Sequence, residues 1–267
     1  MSYPHLAVKA RLLRYADFAT WQALVLKAST TSRLVVLRFE LVVFCLMSLG
    51  ANKSPVVSPS PEAVASHIDH EIKLDAGRPA PEWQNAQPIA FSSDWQGSNS
   101  DPTRETVVRI LWSQRTLYLR FKCQYRELYV FEDSDPNGRR DQLWDRDVAE
   151  AFLQPDPTQQ RLYKEFEVSP NGMWIDLDIF PGGRADLKSG LRRSVALDEK
   201  SHTWYAELAI PMSTLNEQFD PARAWRGNFY RVEGKEEPRA YMAWQPTHTP
   251  QPSFHVPAAF GTLRFAR

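Results

Sequence analysis

Acidic side chains cluster on two predicted strands, at spacings that could support proton transfer. Glu165 and Glu167 alternate along one segment and so share a strand face, while Asp147 and Glu150 bracket the start of another. Hydrolysis of a glycosidic bond uses two carboxylates on opposite sides of that bond, about 5 Å or about 6.5–9.5 Å apart. Sequence spacing does not fix such a distance. Because most carboxylates on strand faces are solvated or salt-bridged, catalysis is the weaker expectation.

Three aromatic side chains lie in polar, turn-like segments: Trp95, Trp144 and Phe254. A sugar ring has apolar C–H faces and a polar rim. An aromatic ring can stack on the face while charged or amide groups hydrogen-bond the hydroxyls. Core packing is the competing interpretation for each ring, and spacing alone favours it.

Short strands must position these groups, because alternation is frequent from residue 72 onward and long helical periodicity is scarce. Asn171 and Gly172 between two alternating runs predict a hairpin, and 211–215 predicts one helical turn. Cys123 continues the apolar alternation of its strand and is predicted to be buried. The pattern predicts an all-β, antiparallel, jelly-roll-like β-sandwich. Strands are predicted at 106–112, 116–123, 148–153, 163–168, 174–180, 203–210, 228–232, 241–244 and 262–265.

The N-terminal part of the chain differs in charge from the rest. The 267 residues carry 32 Lys or Arg and 32 Asp or Glu, which argues against a nucleic-acid partner. Residues 1–51 hold six basic and two acidic residues, so 52–267 carry a net charge of −4. The apolar run 41–50 predicts that 1–51 is an export signal, with a cytosolic amphipathic helix as the alternative. A Pro/Ser-rich linker is expected at 52–66, and a folded domain at 67–267.

Three segments together resemble the family-9 carbohydrate-binding modules, especially the family 9-like proteins. They are 143–156 (LWDRDVAEAFLQPD), 163–176 (YKEFEVSPNGMWID) and a third set formed by 225–233 (WRGNFYRVE), 243–246 (AWQP) and 254–263 (FHVPAAFGTL). An opening KLDAG at 73–77 adds to the similarity. The resemblance covers roughly residues 69–265 and implies a β-sandwich that holds a terminal saccharide unit between two tryptophans.

The resemblance places the first clamp residue at Trp144, in a Trp-x-x-Asp-x-x-Glu pattern that ends at Glu150, whose carboxylate is expected to bond sugar hydroxyls. The second clamp position falls on Phe254. Phenylalanine offers a smaller stacking face than tryptophan, so ligand choice or affinity is expected to differ from that of the family.

Four further candidate ligand-binding residues follow from the resemblance. An arginine of the family falls near Glu167, a reversal of charge, and a side-chain amide of the family falls near Gln251. Asn228 and Arg231 lie in a signature of the family 9-like proteins. For Arg231, a buried ion pair with Glu233 or Asp147 is an equal alternative.

The sequence thus predicts a secreted or periplasmic monomer that binds carbohydrate without catalysis, with no nucleic-acid partner and no membrane contact beyond the export signal. A glycoside hydrolase is the alternative, and a haem-binding redox module is the third hypothesis. Haem would use ligands from Met173, Met212, Met242 and His255. No cofactor is firmly expected. Structural calcium is a candidate for the acidic turn that contains Asp133, Asp135 and Asn137, although a solvated turn is the stronger expectation.

Overall fold

A computed structural model describes residues 61–132 and 138–267, and this part of the chain is nearly all β, as predicted. It contains one short α-helix, α1 (Met212–Leu215), at the predicted helical turn. The strands are β1 (Glu62–His67), β2 (Ile89–Phe91), β3 (Thr106–Trp112), β4 (Thr116–Gln124), β5 (Val148–Gln154), β6 (Tyr163–Val168), β7 (Trp174–Phe180), β8 (Gly183–Asp186), β9 (Arg192–Asp198), β10 (Thr203–Pro211), β11 (Trp225–Glu233), β12 (Ala240–Ala243) and β13 (Gly261–Ala266).

The strands form one mixed sheet in the order β8-β7-β6-β5-β11-β13-β1-β3-β4-β10-β9, with β12 beside β11 and β2 beside β3. The prediction of a purely antiparallel sheet is wrong at β1, which runs parallel to both β13 and β3. A parallel pair needs a long connection. The segment 68–105, which includes β2 but no partner of β1, supplies it between β1 and β3.

The two halves of the strand order share one hydrophobic core. Strand β5 contributes Ala149, Ala151 and Leu153, and these side chains belong to the same buried cluster as Ile110 of β3 and Leu208 of β10. Alternation places successive side chains on opposite faces, so each of these strands keeps a second face outside this core. The predicted sandwich is therefore one curled sheet whose halves enclose a common core.

Period-two alternation located nine of the thirteen strands of the described residues and missed β1, β2, β8 and β9. The hairpin between β6 and β7 turns at Gly172, which adopts a φ of +86° that glycine tolerates. Cys123 is fully buried as predicted, and burial raises the pKa of its thiol to about 11.

The predicted linker overlaps the sheet. Residues 62–66 of the expected 52–66 linker belong to β1, where Ala63 and Ala65 are buried against the core. Proline enrichment ends at Pro61, immediately before the strand, so the predicted linker extends five residues beyond the proline-rich run. The predicted export signal at 1–51 and the acidic turn at 133–137 lie outside the described residues. Among the described residues, no helix has the length and apolar character to span a bilayer.

Candidate functional site

A polar site lies on the face of β5, β6, β7 and β11 that points away from the shared core. Cross-strand register places Glu150 opposite Tyr230 of β11 on one side and opposite Glu167 of β6 on the other. Directly opposed residues share a face. Apolar side chains of this face form a second buried cluster that includes Val148, Phe152, Tyr163, Ile175, Leu177, Tyr230 and Val232.

A cavity of about 530 Å³ opens on this face, a volume that suits a small organic ligand. Its lining brings together four of the predicted site residues, namely Trp144, Glu150, Glu167 and Phe254. The remaining lining residues are Asp145, Arg146, Phe152, Glu165, Val232, Lys235, Glu237, Arg239, Tyr241, Pro252, Ser253 and His255.

Trp144 lies on a 3-10 turn (Leu143–Asp145) that precedes β5. Its ring is half-buried, and the guanidinium of Arg184 lies 4.5 Å from the ring centroid, so that part of the indole is already covered by a cation–π contact. Arg239 also holds this turn in place, because its guanidinium donates to the carbonyl of Trp144 at 2.9 Å and to that of Arg146 at 2.8 Å.

Phe254 is held as one side of the cavity by a chain of contacts from β11. Its ring stacks on Tyr230 with a centroid separation of 4.1 Å and an interplanar angle of 9°. The Tyr230 hydroxyl donates to the carbonyl of Phe254 at 3.0 Å and accepts from the Asn228 amide at 2.7 Å. Phe254 is thus rigidly placed, with one ring face occupied by protein.

Three glutamates form the base of the cavity. One carboxylate oxygen from each of Glu150, Glu165 and Glu167 lies within 4.8 Å of the others, and all three side chains are buried. Burial raises the pKa of Glu150 well above its ordinary value, and the Glu165 charge adds to this rise. Burial likewise raises the pKa of Glu167, with further contributions from the Glu150 and Glu165 charges. Glu150 and Glu167 therefore retain their protons at a pH where free glutamates lose them.

The structure separates the other predicted site residues from the cavity. Asn228 is buried and supports Tyr230 and the backbone of Gln245. The Gln251 side chain is exposed and does not line the cavity. Arg231 is fully buried on the opposite face of β11, where it contacts Glu233 at 3.4 Å and Trp204, so the ion-pair alternative describes it better than ligand binding does.

Sequence reasoning missed the charged side of the cavity mouth, which comes from the connection between β11 and β12. Lys235, Glu237 and Arg239 line the mouth, and Tyr241 of β12 donates to Glu237 at 2.6 Å. Irregular connections carry no periodic signal, so only the charge density of 233–239 could have drawn attention to them.

The haem candidates do not converge. Met173 lies in the cluster beneath the cavity, Met212 and Met242 lie in the shared core, and His255 is at the cavity mouth, bonded to the Tyr163 hydroxyl at 2.6 Å. The four candidates are thus divided between two hydrophobic clusters and the cavity mouth.

Comparison with known proteins identifies the class of this fold. The chain belongs to the carbohydrate family 9 binding domain-like family, whose model matches residues 74–266, so the resemblance seen in the sequence is confirmed. An extracellular protein of Arthroderma benhamiae is 24% identical over 179 residues, which are 61% of this chain and 80% of that protein.

Two solved structures share the fold. A Bacteroides uniformis protein, described as a candidate carbohydrate-binding protein, covers 77% of this chain and 99% of its own, with a TM-score of 0.60 and 18% identity. A family 9 carbohydrate binding module of Caldicellulosiruptor kristjanssonii in complex with cellotriose covers 77% of this chain and 94% of its own, with a TM-score of 0.55 and 13% identity.

Proposed function

We propose that this protein binds the terminal unit of a neutral oligosaccharide or polysaccharide, without catalysis, in the cavity lined by Trp144 and Phe254. One observation carries the proposal: these two rings, remote in sequence, line the same 530 Å³ cavity together with buried carboxylates and a charged mouth. Aromatic faces and polar groups at a rim are the two elements that a sugar ring requires. Family membership supports the same ligand class, as does the cellotriose bound by the Caldicellulosiruptor kristjanssonii module.

In this proposal the residues have different roles. Trp144 and Phe254 stack on the sugar, while Glu237, Arg239 and Tyr241 at the mouth exchange hydrogen bonds with its hydroxyls. Glu150 and Glu167 are only 2% and 0% exposed, so they act from beneath the ligand rather than at its rim. Asn228 positions Phe254 through Tyr230.

We also propose that the protein acts outside the cytoplasm, in the periplasm or the medium, in polysaccharide utilisation. The charge and apolar pattern of 1–51 supports export, and the Arthroderma benhamiae relative is an extracellular protein.

Titration calorimetry with cellotriose and other neutral oligosaccharides tests the binding proposal. Trp144→Ala should fold and should weaken binding at least about tenfold, because a buried stacking contact is lost. Trp174→Ala is the matched control: Trp174 is also half-buried beneath an arginine, Arg193, but lies outside the cavity. It should bind like wild type.

Two outcomes would overturn the proposal. One is no heat for the wild-type protein with any neutral oligosaccharide, and the other is an equal loss of affinity in Trp144→Ala and Trp174→Ala. Steady release of reducing sugar that disappears in Glu150→Gln would support the hydrolase alternative instead.

A further inference from the structure

The three glutamates at the base of the cavity are unusual among the buried carboxylates of the described residues. The other four all have donors: Glu207 pairs with Arg120, Asp176 with Arg139, Glu233 with Arg104, and Asp147 accepts two backbone N–H groups, from Tyr129 and Gly234. By contrast, both oxygens of Glu167 and one oxygen each of Glu150 and Glu165 accept no hydrogen bond from a basic, amide or backbone donor of the described residues, and the hydrogen bond of Glu167 is to Glu165 itself. Unpaired buried polar atoms are costly, so these oxygens require a shared proton or a bound cation.

Neighbouring basic side chains do not pair with these carboxylate oxygens. Arg239 also lines the cavity, but its guanidinium donates to the carbonyls of Gly234, Trp144 and Arg146. Arg184 lies over Trp144 and pairs with Asp141 at 3.2 Å. Within the described residues, no Lys or Arg makes an ion pair with the three glutamates.

We propose that Glu150, Glu165 and Glu167 form a divalent-cation site, with calcium as its ion, at the base of the cavity. The donor set consists only of carboxylate oxygens, which hard cations prefer. The three carboxylate oxygens lie within 4.8 Å of one another, so one ion with calcium's oxygen distances of about 2.3–2.6 Å can contact all of them. Magnesium usually keeps several of its waters, whereas the three side chains here are buried.

Burial distinguishes a bare ion from an amine-bearing ligand. An ammonium group could also bridge three carboxylates, but on an amino sugar it is attached to a ring that must approach from the cavity. Glu167 is 0% exposed and Glu165 is 3% exposed. A bare ion can sit among such oxygens, whereas an amine carried on a sugar ring has less access to them.

The inference concerns the glutamates alone and does not depend on carbohydrate binding. It also differs from the acidic turn at 133–137, which is a separate segment of the chain. A test must therefore separate these two candidate sites from each other and from the sugar site.

The experiment is calorimetric titration of calcium chloride into the full chain after treatment with a chelator. The wild-type protein should show a binding event that Glu165→Gln and Glu167→Gln each weaken at least about tenfold, since each removes a direct ligand. Asp135→Asn and the exposed Glu217→Gln should retain that event. Melting curves with and without calcium provide a second readout: calcium should raise the Tm of wild type and of both controls, but not that of the two cluster variants.

Three results would overturn the proposed calcium site at the glutamates. The first is an absence of heat and of a Tm shift with calcium, which would mean that protons alone neutralise the cluster. The second is loss of calcium binding in Asp135→Asn with retention in both cluster variants. The third is binding of glucosamine, but not of calcium, that depends on Glu167. If the wild-type protein binds calcium but does not bind cellotriose, only the proposed function is contradicted.

Discussion

At the scale of single residues, the key feature is a set of like charges placed directly across two strands. Glu150 and Glu167 are opposed in the register of β5 and β6, and Glu165 lies one pair further along the same face. Like charges at opposed positions destabilise a sheet. The ionised cluster therefore lowers the free energy of unfolding unless a proton or a cation neutralises it. Substitutions in the cluster should consequently change the measured stability of the protein.

Glu167→Gln should stabilise the protein at neutral pH when calcium is removed by a chelator. A carboxyl whose pKa is higher in the folded state than its usual value of about 4.3 stabilises the fold only while it is protonated. That contribution is complete at low pH and is lost as pH rises through the raised pKa. We expect a gain on the order of 1 kcal/mol at pH near 7.5, or about 2–4 °C in Tm, which shrinks as the pH falls to about 4.

Thermal melts across this pH range measure the effect, with Glu217→Gln as the exposed control. A lower Tm for Glu167→Gln at neutral pH in the presence of chelator would show that the ionised carboxylate is not a local cost.

The family resemblance supplied residues that line the cavity and residues that do not. Trp144, Glu150 and Phe254 line one cavity, and their contact with a ligand stays a prediction, whereas Gln251 lies outside that cavity. Asn228 and Arg231 are three residues apart, an odd separation, so they point to opposite faces of β11 and could not both have faced one ligand. Arg239 was missed because it acts through carbonyl contacts that only the folded chain creates.

At the scale of elements, β1 completes the sheet between β13 and β3. Its side chains alternate cleanly: Ala63 and Ala65 enter the shared core, while Val64 lies on the other face. The strands that contain the site were all predicted by alternation, although β5 is buried at every position and β11 at all but one. β1 was missed because it is short, rich in alanine and directly follows a proline-rich run.

Ala65→Asp should strongly destabilise the protein, because it buries an unpaired carboxylate beside Phe265 in the centre of the sheet. We expect a loss of more than about 3 kcal/mol, measured as a lower midpoint of urea unfolding. Val64→Thr, on the other face of the same strand, should cost less than about 1 kcal/mol. Equal effects of the two substitutions would mean that β1 does not contribute to the core as described.

At the scale of the whole molecule, charge favours a neutral ligand. Residues 52–267 carry 26 basic and 30 acidic residues, and the cavity lining holds five acidic side chains against three Lys or Arg. Such a surface does not concentrate anions. The neutrality of the full chain reflects its basic N-terminal part rather than the domain that bears the cavity.

Binding of a neutral oligosaccharide should therefore be nearly independent of salt. We expect less than about a twofold change in Kd between about 0.05 and 0.5 M sodium chloride, and no binding of polygalacturonate at either concentration. Calorimetry with cellotriose and this acidic polymer provides the comparison. Affinity for the polymer that falls steeply with salt would contradict the expectation of a neutral ligand.

The parallel pairing of β1 with β13 also has a mechanical consequence. Glu62 begins one strand and Ala266 ends its neighbour, with five opposed residue pairs from Glu62↔Thr262 to Ser66↔Ala266. A pulling force applied at these two points acts along the strands in opposite directions. The hydrogen bonds between them are then loaded in shear, all at once, rather than opened one after another. Tension between the segment before Glu62 and the C-terminal Arg267 would thus load this strand pair in shear.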